Sequence, residues 1–369
     1  MKFECNKADL LYGVTTVSKA VPSRTTMSIL ECILIDASKG QITLTANDME
    51  LGIETVIEGS IIEKGIIALD AKLFFDIVRK LPDSVVVVET DINNKTTITC
   101  EKAKFNIIGK SGEDFSYLPT IERTQSIVLT QFSLKEIIRQ TIFSIGDNDN
   151  NKVMSGELFE IRDNMLKVVS LDGHRVSLRN IELKNNYDSK KVIVPGKTLS
   201  EVSKILSGDT DKDVSIFFTD KHILFEFEKT IVLSRLIEGE YIRIDAMLSN
   251  DYETKVSVNR KELLNCIDRA TLLVKEGDKK PIIINIADDY MELKINSIIG
   301  SLNESIDAEK VGKDIMIGFN PNFMIDALKV IDDEIVDIYL VNPKAPCYIR
   351  DSKGSYVYLV LPVNFSTVQ

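Results

Sequence analysis

Three stretches of this chain repeat one layout about every 125 residues, and few folds are compatible with such a repeat. Each copy opens with a strand-like run and an amphipathic helix: FECNKADLLYGVTTVSKAV from Phe3, IVLTQFSLKEIIRQTIFSI from Ile127 and TKVSVNRKELLNCIDRATLLV from Thr254. Each has a second such unit, starting at Ile66, Val192 and Ile315, with spacings of 126 and then 123 residues. Leu11, Ile137 and Leu263 read as matching positions, 126 residues apart. Three copies of one domain in a row favour a curved or ring-shaped assembly over a single enzyme pocket. Such a row closes only if the rotation at each joint closes, alone or with another copy of the chain. The expected domains are residues 1–124, 125–251 and 252–369, with boundaries in the polar stretches ERTQS and SNDYET. No low-complexity linker separates them, so close packing is expected.

Apolar residues recur at helical spacing in all six helical segments. The first helices carry Leu10, Val14, Val17 and Val21; Leu134, Ile138, Ile142 and Ile145; Leu263, Ile267, Ala270 and Val274. The second helices carry Phe74, Ile77 and Leu81; Leu199, Val202 and Leu206; Met324, Leu328 and Ile331. Between them the pattern alternates. Residues 29–57 read as three strands, with turns at Ser38-Lys39-Gly40 and Asn47-Asp48, and 156–183 and 281–306 read alike. The predicted class is α+β: antiparallel sheets covered on one side by two helices in each repeat.

The net charge of −11 argues against a protein that grips nucleic acid over its whole surface. The distribution says more. The helical windows 7–24, 71–82, 133–145, 196–207, 260–275 and 320–331 sum to +8, which leaves −19 for the rest. A basic set of helices in an acidic protein could face DNA if the helices share one surface. Lys72, Arg79, Lys80, Arg139, Lys197, Lys204 and Arg269 are the candidate cations on them.

No catalytic signature, metal site or cofactor motif emerges. PGKT at 195–198 imitates a Walker A end, but Lys191 stands where the loop needs glycine, so a strand-to-helix turn is expected. DNDNN at 147–151 opens like a calcium loop, but Lys152 and Leu158 replace the required glycine and glutamate. His174 and His222 lie in no GxSxG or HExxH context. Asp172-Gly173 reads as a hairpin turn, which favours a structural role for His174 and Arg175. The cysteines at 5, 32, 100, 266 and 347 show no CxxC spacing, as in a protein of a reducing cytoplasm. No apolar run is long enough for a membrane span, and the charged N-terminus does not read as a signal peptide. The final run SYVYLVLPVNFSTVQ reads as a docked edge strand, with Pro362 supporting the edge position. Its leading functional reading is an apolar groove for a partner peptide.

The motifs MKF, SRTTMSIL, NDMEL, FSYLP, LDGHRV, VIVP, IGFNP and YVYLVLPV follow in this order along the chain. Taken together on a threefold repeat, they resemble the beta subunit of bacterial DNA polymerase III, a sliding clamp, along essentially the whole length. The resemblance implies a head-to-tail homodimer whose six domains form a ring around duplex DNA. It implies binding without sequence specificity and without catalysis or cofactors. The implied partners are the replicative polymerase, the clamp loader and other proteins carrying a clamp-binding motif, in the cytoplasm.

The resemblance also assigns residues. Arg24 matches a DNA-touching arginine, and Lys152 lies in a loop, 147–153, that matches one near DNA. That loop has Lys152 and Val153 where the family has tyrosines. The partner cleft would be formed by Met154, Leu171, Gly173, His174, Arg175, Val176, Ile242, Ala246, Met247, Pro346, Leu359, Val360, Leu361, Pro362 and Val363. It suits a short peptide with leucine and phenylalanine side chains, with Arg175 framing the pocket. Ile242, Ala246, Asn364 and Gly196 depart from a family proline, two arginines and a basic residue, respectively. The dimer seam would set Phe105 and Ile107 against Leu272 and Leu273 of another copy. Two other readings stand beside the clamp: an enzyme with acid pairs converging between domains, and an open, non-topological DNA-binding scaffold using the basic helices.

Overall fold

A computed structural model describes residues 1–116, 118–123, 126–146, 151–274 and 280–365. Among these residues lie six α-helices: α1 (Lys7–Val17), α2 (Ala71–Lys80), α3 (Gln131–Thr141), α4 (Gly196–Ile205), α5 (Arg260–Thr271) and α6 (Pro321–Val330). Each follows a strand directly or after one residue, and the junction residue often caps the helix. Asp70 accepts a hydrogen bond from the Leu73 amide at 2.8 Å, and Thr130 from that of Ser133 at 3.1 Å. Asn259 accepts from Lys261 and Glu262 at 3.0 and 3.1 Å, and Asn320 from Asn322 at 3.0 Å. These side chains satisfy amides that a first helical turn leaves without a partner. Pro321 opens α6, where its missing N–H costs nothing.

The apolar stripes are the buried faces. Leu10, Val14 and Val17, then Leu134 and Ile138, then Leu263, Ile267 and Ala270 are all in the core. So are Phe74, Ile77, Leu199, Val202, Met324 and Leu328. The match between first helices needs correcting, however. Leu10, Leu134 and Leu263 are each the fourth residue of their helix and fully buried, so they, not Leu11 and Ile137, share a position with Leu263. The strand-to-helix junction sets the phase, and the spacing between copies varies around it. α1 also stops at Val17, followed by a short 3-10 turn over Ser18–Ala20, well before the end of the basic window.

The described chain packs as two compact units: residues 1–134 with 200–236, and residues 135–199 with 237–369. Their boundaries fall inside α3 and α4, so packing divides the second repeat. The first unit holds a five-stranded sheet in the order Ser60–Glu63, Lys2–Asn6, Val85–Thr90, Lys95–Cys100, Ala103–Ile108. Its nine-stranded sheet joins first-repeat strands to second-repeat strands. There Leu51–Ile57 runs antiparallel to Thr230–Arg235, with Leu51 opposite Ser234 and Thr55 opposite Thr230. The buried hydroxyls of Thr55 and Thr230 share a 2.8 Å hydrogen bond across this joint.

The second unit holds a ten-stranded sheet in which the second repeat joins the third. Arg175 lies opposite Val360 and Arg179 opposite Tyr356, again antiparallel. The two joints are therefore ladders of backbone hydrogen bonds. This placement corrects the expectation for the C-terminal strand. Tyr356–Val360 is an interior strand, flanked by Arg175–Pro195 and Cys347–Arg350, and Pro362 lies beyond its end. A proline inside such a strand would have removed a ladder hydrogen bond.

One buried acid stands out in the second unit. Glu157 is fully buried; its Oε2 accepts from the Thr141 hydroxyl at 3.1 Å, and Oε1 has no partner among the described residues. Burial pushes this carboxyl from 4.5 up to about 8, against the Thr141 hydrogen bond that pulls it down. The native protein then keeps a proton that the unfolded chain loses above pH 4.5. Stability therefore falls as pH rises through this window, by about 1.4 kcal/mol per unit, reaching about 3 kcal/mol at pH 7. Glu157→Gln is expected to abolish that slope, matching wild type near pH 4.5 and exceeding it at pH 7 in urea denaturation. Identical pH dependence in both proteins would mean that Glu157 is ionised in the fold.

Candidate partner cleft, basic helix faces and open sheet edges

The candidate cleft is assembled in the second unit from three parts of the chain. A hairpin turn brings Leu171 and Val176 together: Gly173 sits at φ +90°, and Asp172 Oδ1 accepts from the His174 and Arg175 amides at 2.9 and 3.1 Å. The C-terminal strand lies beside it, and the Leu361 amide donates to the His174 carbonyl at 2.9 Å. The third part is the segment after Ile237. Its turn is held by the Met247 amide on the Ile244 carbonyl at 2.7 Å and by the Tyr348 hydroxyl on the Met247 carbonyl, also at 2.7 Å.

The residues divide into a floor and a rim. Leu171, Val176, Leu359 and Val360 are buried, so they shape the floor from beneath and are not available to a ligand. Leu158, Val169, Leu178, Ile244 and Tyr348 complete the buried cluster containing Leu171, Val176 and Leu359. The accessible apolar surface comes from Met247 and Leu361, 46% and 39% exposed, and from half-buried Met154, Ile242, Pro346, Pro362 and Val363. Gly173, His174 and Ala246 are exposed at the rim.

Arg175 is mainly a structural tie. Its Nε donates to Asp172 Oδ2 at 2.9 Å, Nη1 to Asp326 Oδ2 of α6 at 2.6 Å, and Nη2 to the Phe143 carbonyl. Its guanidinium lies 5.4 and 4.5 Å from the ring centres of Phe143 and Phe323. The group frames the cleft by fixing the hairpin to α6, which agrees with the structural role read from its residue context.

The candidate DNA-facing cations are on the surface. Arg24, Lys72, Arg79, Lys80, Lys152, Lys197, Lys204 and Arg269 are exposed, and Arg139 is half-buried. Arg139 pairs with Glu136 at 2.6 Å and Asp332 at 3.0 Å, and Arg269 pairs with Glu304. Of loop 147–153, residues 147–150 lie outside the described residues. At PGKT, a Cβ on Gly196 would stand 2.4 Å from Ile145 Cδ1 and 3.0 Å from the Ser155 carbonyl oxygen, so this strand-to-helix turn is closely packed.

Two of the sheet edges left without a partner among the described residues are lined by apolar side chains. Ala103–Ile108 is the last strand of its sheet, with Phe105 and Ile108 exposed and Ile107 half-buried. Strand Gly300–Gly312 pairs along its first half with Tyr290–Ser297, while Thr254–Val258 takes only Ala308–Gly312. The other side of Gly300–Glu304 thus carries no ladder among the described residues. Beside it lie exposed Ile298 and Ile299, exposed Leu272 and half-buried Leu273, whose Cδ2 would be 3.4 Å from a Cβ on Gly300.

Models of the DNA polymerase III beta subunit match the chain in order: the N-terminal domain over 1–119, the central domain over 128–242 and the C-terminal domain over 246–364. A beta sliding clamp from Staphylococcus aureus is 34% identical, over 98% of this chain and 99% of the relative. This chain belongs to the beta sliding-clamp family. The fold agrees. The solved sliding clamp of Bacillus subtilis is 34% identical with a TM-score of 0.96, covering 99% of this chain and all of that one. A solved putative DNA polymerase III beta subunit from Eubacterium rectale is 71% identical with a TM-score of 0.97 and the same coverage.

Some cleft residues of this sliding-clamp relative escaped sequence reasoning. Tyr348 and Arg350 hold the wall of the cleft, the latter donating to the Ser249 carbonyl at 3.1 Å and Asn250 Oδ1 at 2.6 Å. Their contacts reach back about 100 residues along the chain, and the four-residue strand Cys347–Arg350 that carries them shows no alternation. Ile244 is buried, although the segment around it carries no periodic pattern.

Proposed function

We propose that this protein closes as a head-to-tail dimer around duplex DNA, slides without sequence preference and holds a DNA polymerase to its template. The supporting observation is the pair of internal joints. Asp48 and Asp172 make the same turn, which matches Leu51 with Arg175; their partners Ser234 and Val360 match in turn. The third copies of these two strands are Gly300–Glu304 and Ala103–Ile107, one open edge of each kind. Continuing the register across two copies sets Gly300 opposite Ile107, Ser301 opposite Asn106 and Leu302 opposite Phe105. Joining these edges removes two strands that would otherwise invite aggregation, and covers Leu272 and Leu273. The three domains 1–124, 125–251 and 252–369 then contribute six to a ring, with Arg24, Lys152 and the helix cations toward DNA.

A ring explains how an acidic protein stays on an acidic polymer. Closure retains the DNA, and weak phosphate contacts leave it free to move. The cleft of Met154, Ile242, Met247 and Leu361 takes short apolar peptides of the polymerase, the loader and other partners. The protein works without chemistry of its own, in the cytoplasm. Loading onto nicked circular DNA with a matching loader and ATP, followed by linearisation, tests this reading. Release through the free ends is expected; retention on the cut DNA replaces the ring with an open scaffold held by direct contacts.

A further inference from the structure

The second helix of every repeat carries an acid at its sixth position and a base at its ninth: Asp76 and Arg79 in α2, Glu201 and Lys204 in α4, Asp326 and Lys329 in α6. In α2 the Arg79 guanidinium donates to Asp76 Oδ1 at 3.1 Å, and in α4 the Lys204 ammonium donates to Glu201 Oε1 at 2.7 Å. In α6 the acid is diverted, because Asp326 is held by Arg175 at 2.6 Å. Lys72 and Lys80, near the two ends of α2, are exposed and have no ion-pair partner among the described residues. So α2 mixes bare cations with one that is matched to an acid.

Pairs three residues apart on a helix surface contribute little to stability, so stability does not account for their recurrence at matched positions. Their effect on charge is larger. A cation that already holds a carboxylate displaces little of the counterion atmosphere of DNA, whereas a bare cation displaces about one ion. We infer that Asp76 and Glu201 damp the attraction of α2 and α4 for phosphate and so keep the protein mobile along the duplex. This rests on the reading that these helices face DNA.

The test compares the full-length protein with Asp76→Asn/Glu201→Gln on a short labelled linear duplex. Freeing two cations is expected to steepen the salt slope by about 1.8, an extra loss of about 12-fold in affinity between about 50 and about 200 mM salt. The control, Glu228→Gln/Glu253→Gln, removes two acids paired with Lys212 and Lys313 outside the helices and is expected to leave the slope unchanged. An equal rise in the control would show that overall charge is responsible and overturn the inference. A third variant, Lys72→Ala/Lys80→Ala, separates the two levels. If it flattens the slope while Asp76→Asn/Glu201→Gln changes nothing, the damping idea alone fails. If it binds DNA as wild type does, the DNA-facing reading fails, and the inference with it.

Discussion

Leu273→Asp is expected to convert the dimer into monomers. Leu273 lies against Gly300 at an open sheet edge, beside exposed Leu272. A carboxylate there would be carried into an apolar seam, at a cost of about 3 kcal/mol. A head-to-tail dimer contains the seam twice, so the penalty doubles to about 6 kcal/mol, or roughly four orders of magnitude in the dissociation constant. Analytical ultracentrifugation over a dilution series reads this directly; a variant that stays dimeric at every concentration removes the seam. The register has its own test. Directly opposed antiparallel residues have Cα atoms about 4.5–5.5 Å apart, within disulfide reach. Asn106→Cys/Ser301→Cys should therefore crosslink between copies under oxidising conditions, while the five native cysteines are all buried.

The second large effect is expected at the cleft. Leu361 is accessible, and its backbone is already fixed by the hydrogen bond to His174, so its side chain can serve a ligand without serving the core. Leu361→Asp should weaken a labelled peptide bearing leucine and phenylalanine by about 2–3 kcal/mol, roughly 30–150-fold, with the dimer intact. Fluorescence anisotropy gives the affinity and sedimentation the assembly state. Unaltered peptide affinity in this variant would move the binding surface elsewhere. The buried floor residues make poorer tests: replacing Leu171 or Leu359 would open a cavity and confound binding with stability.

The wall of this cleft shows where sequence reading reaches its range. Leu171, Val176 and Leu359 were readable as apolar positions on strands, whereas Met247 came only from the family resemblance. Which of them a ligand could touch was not readable, because burial depends on what packs behind a strand. Tyr348 holds the Met247 carbonyl from 101 residues away, and no local pattern encodes such a contact. Arg175 shows the same limit from the other side. Its turn context was legible at Asp172-Gly173, but its salt bridge to Asp326, 151 residues away, was not.

By itself, the sequence determined the threefold repeat, the helices with their buried stripes, and the hairpin turns after Asp48 and Asp172. Those features depend on periodicity, backbone preference and, at the turns, side-chain-to-amide bonds spanning a few residues. The tertiary structure alone decided that the repeats join as continuous ladders, that packing divides the second repeat, and that the C-terminal strand is interior. It also decided that Glu157 is buried with one oxygen lacking a partner among the described residues. Alternation along a strand says which face is buried, not which distant strand lies alongside or in what register. That choice depends on the free energy of the whole sheet.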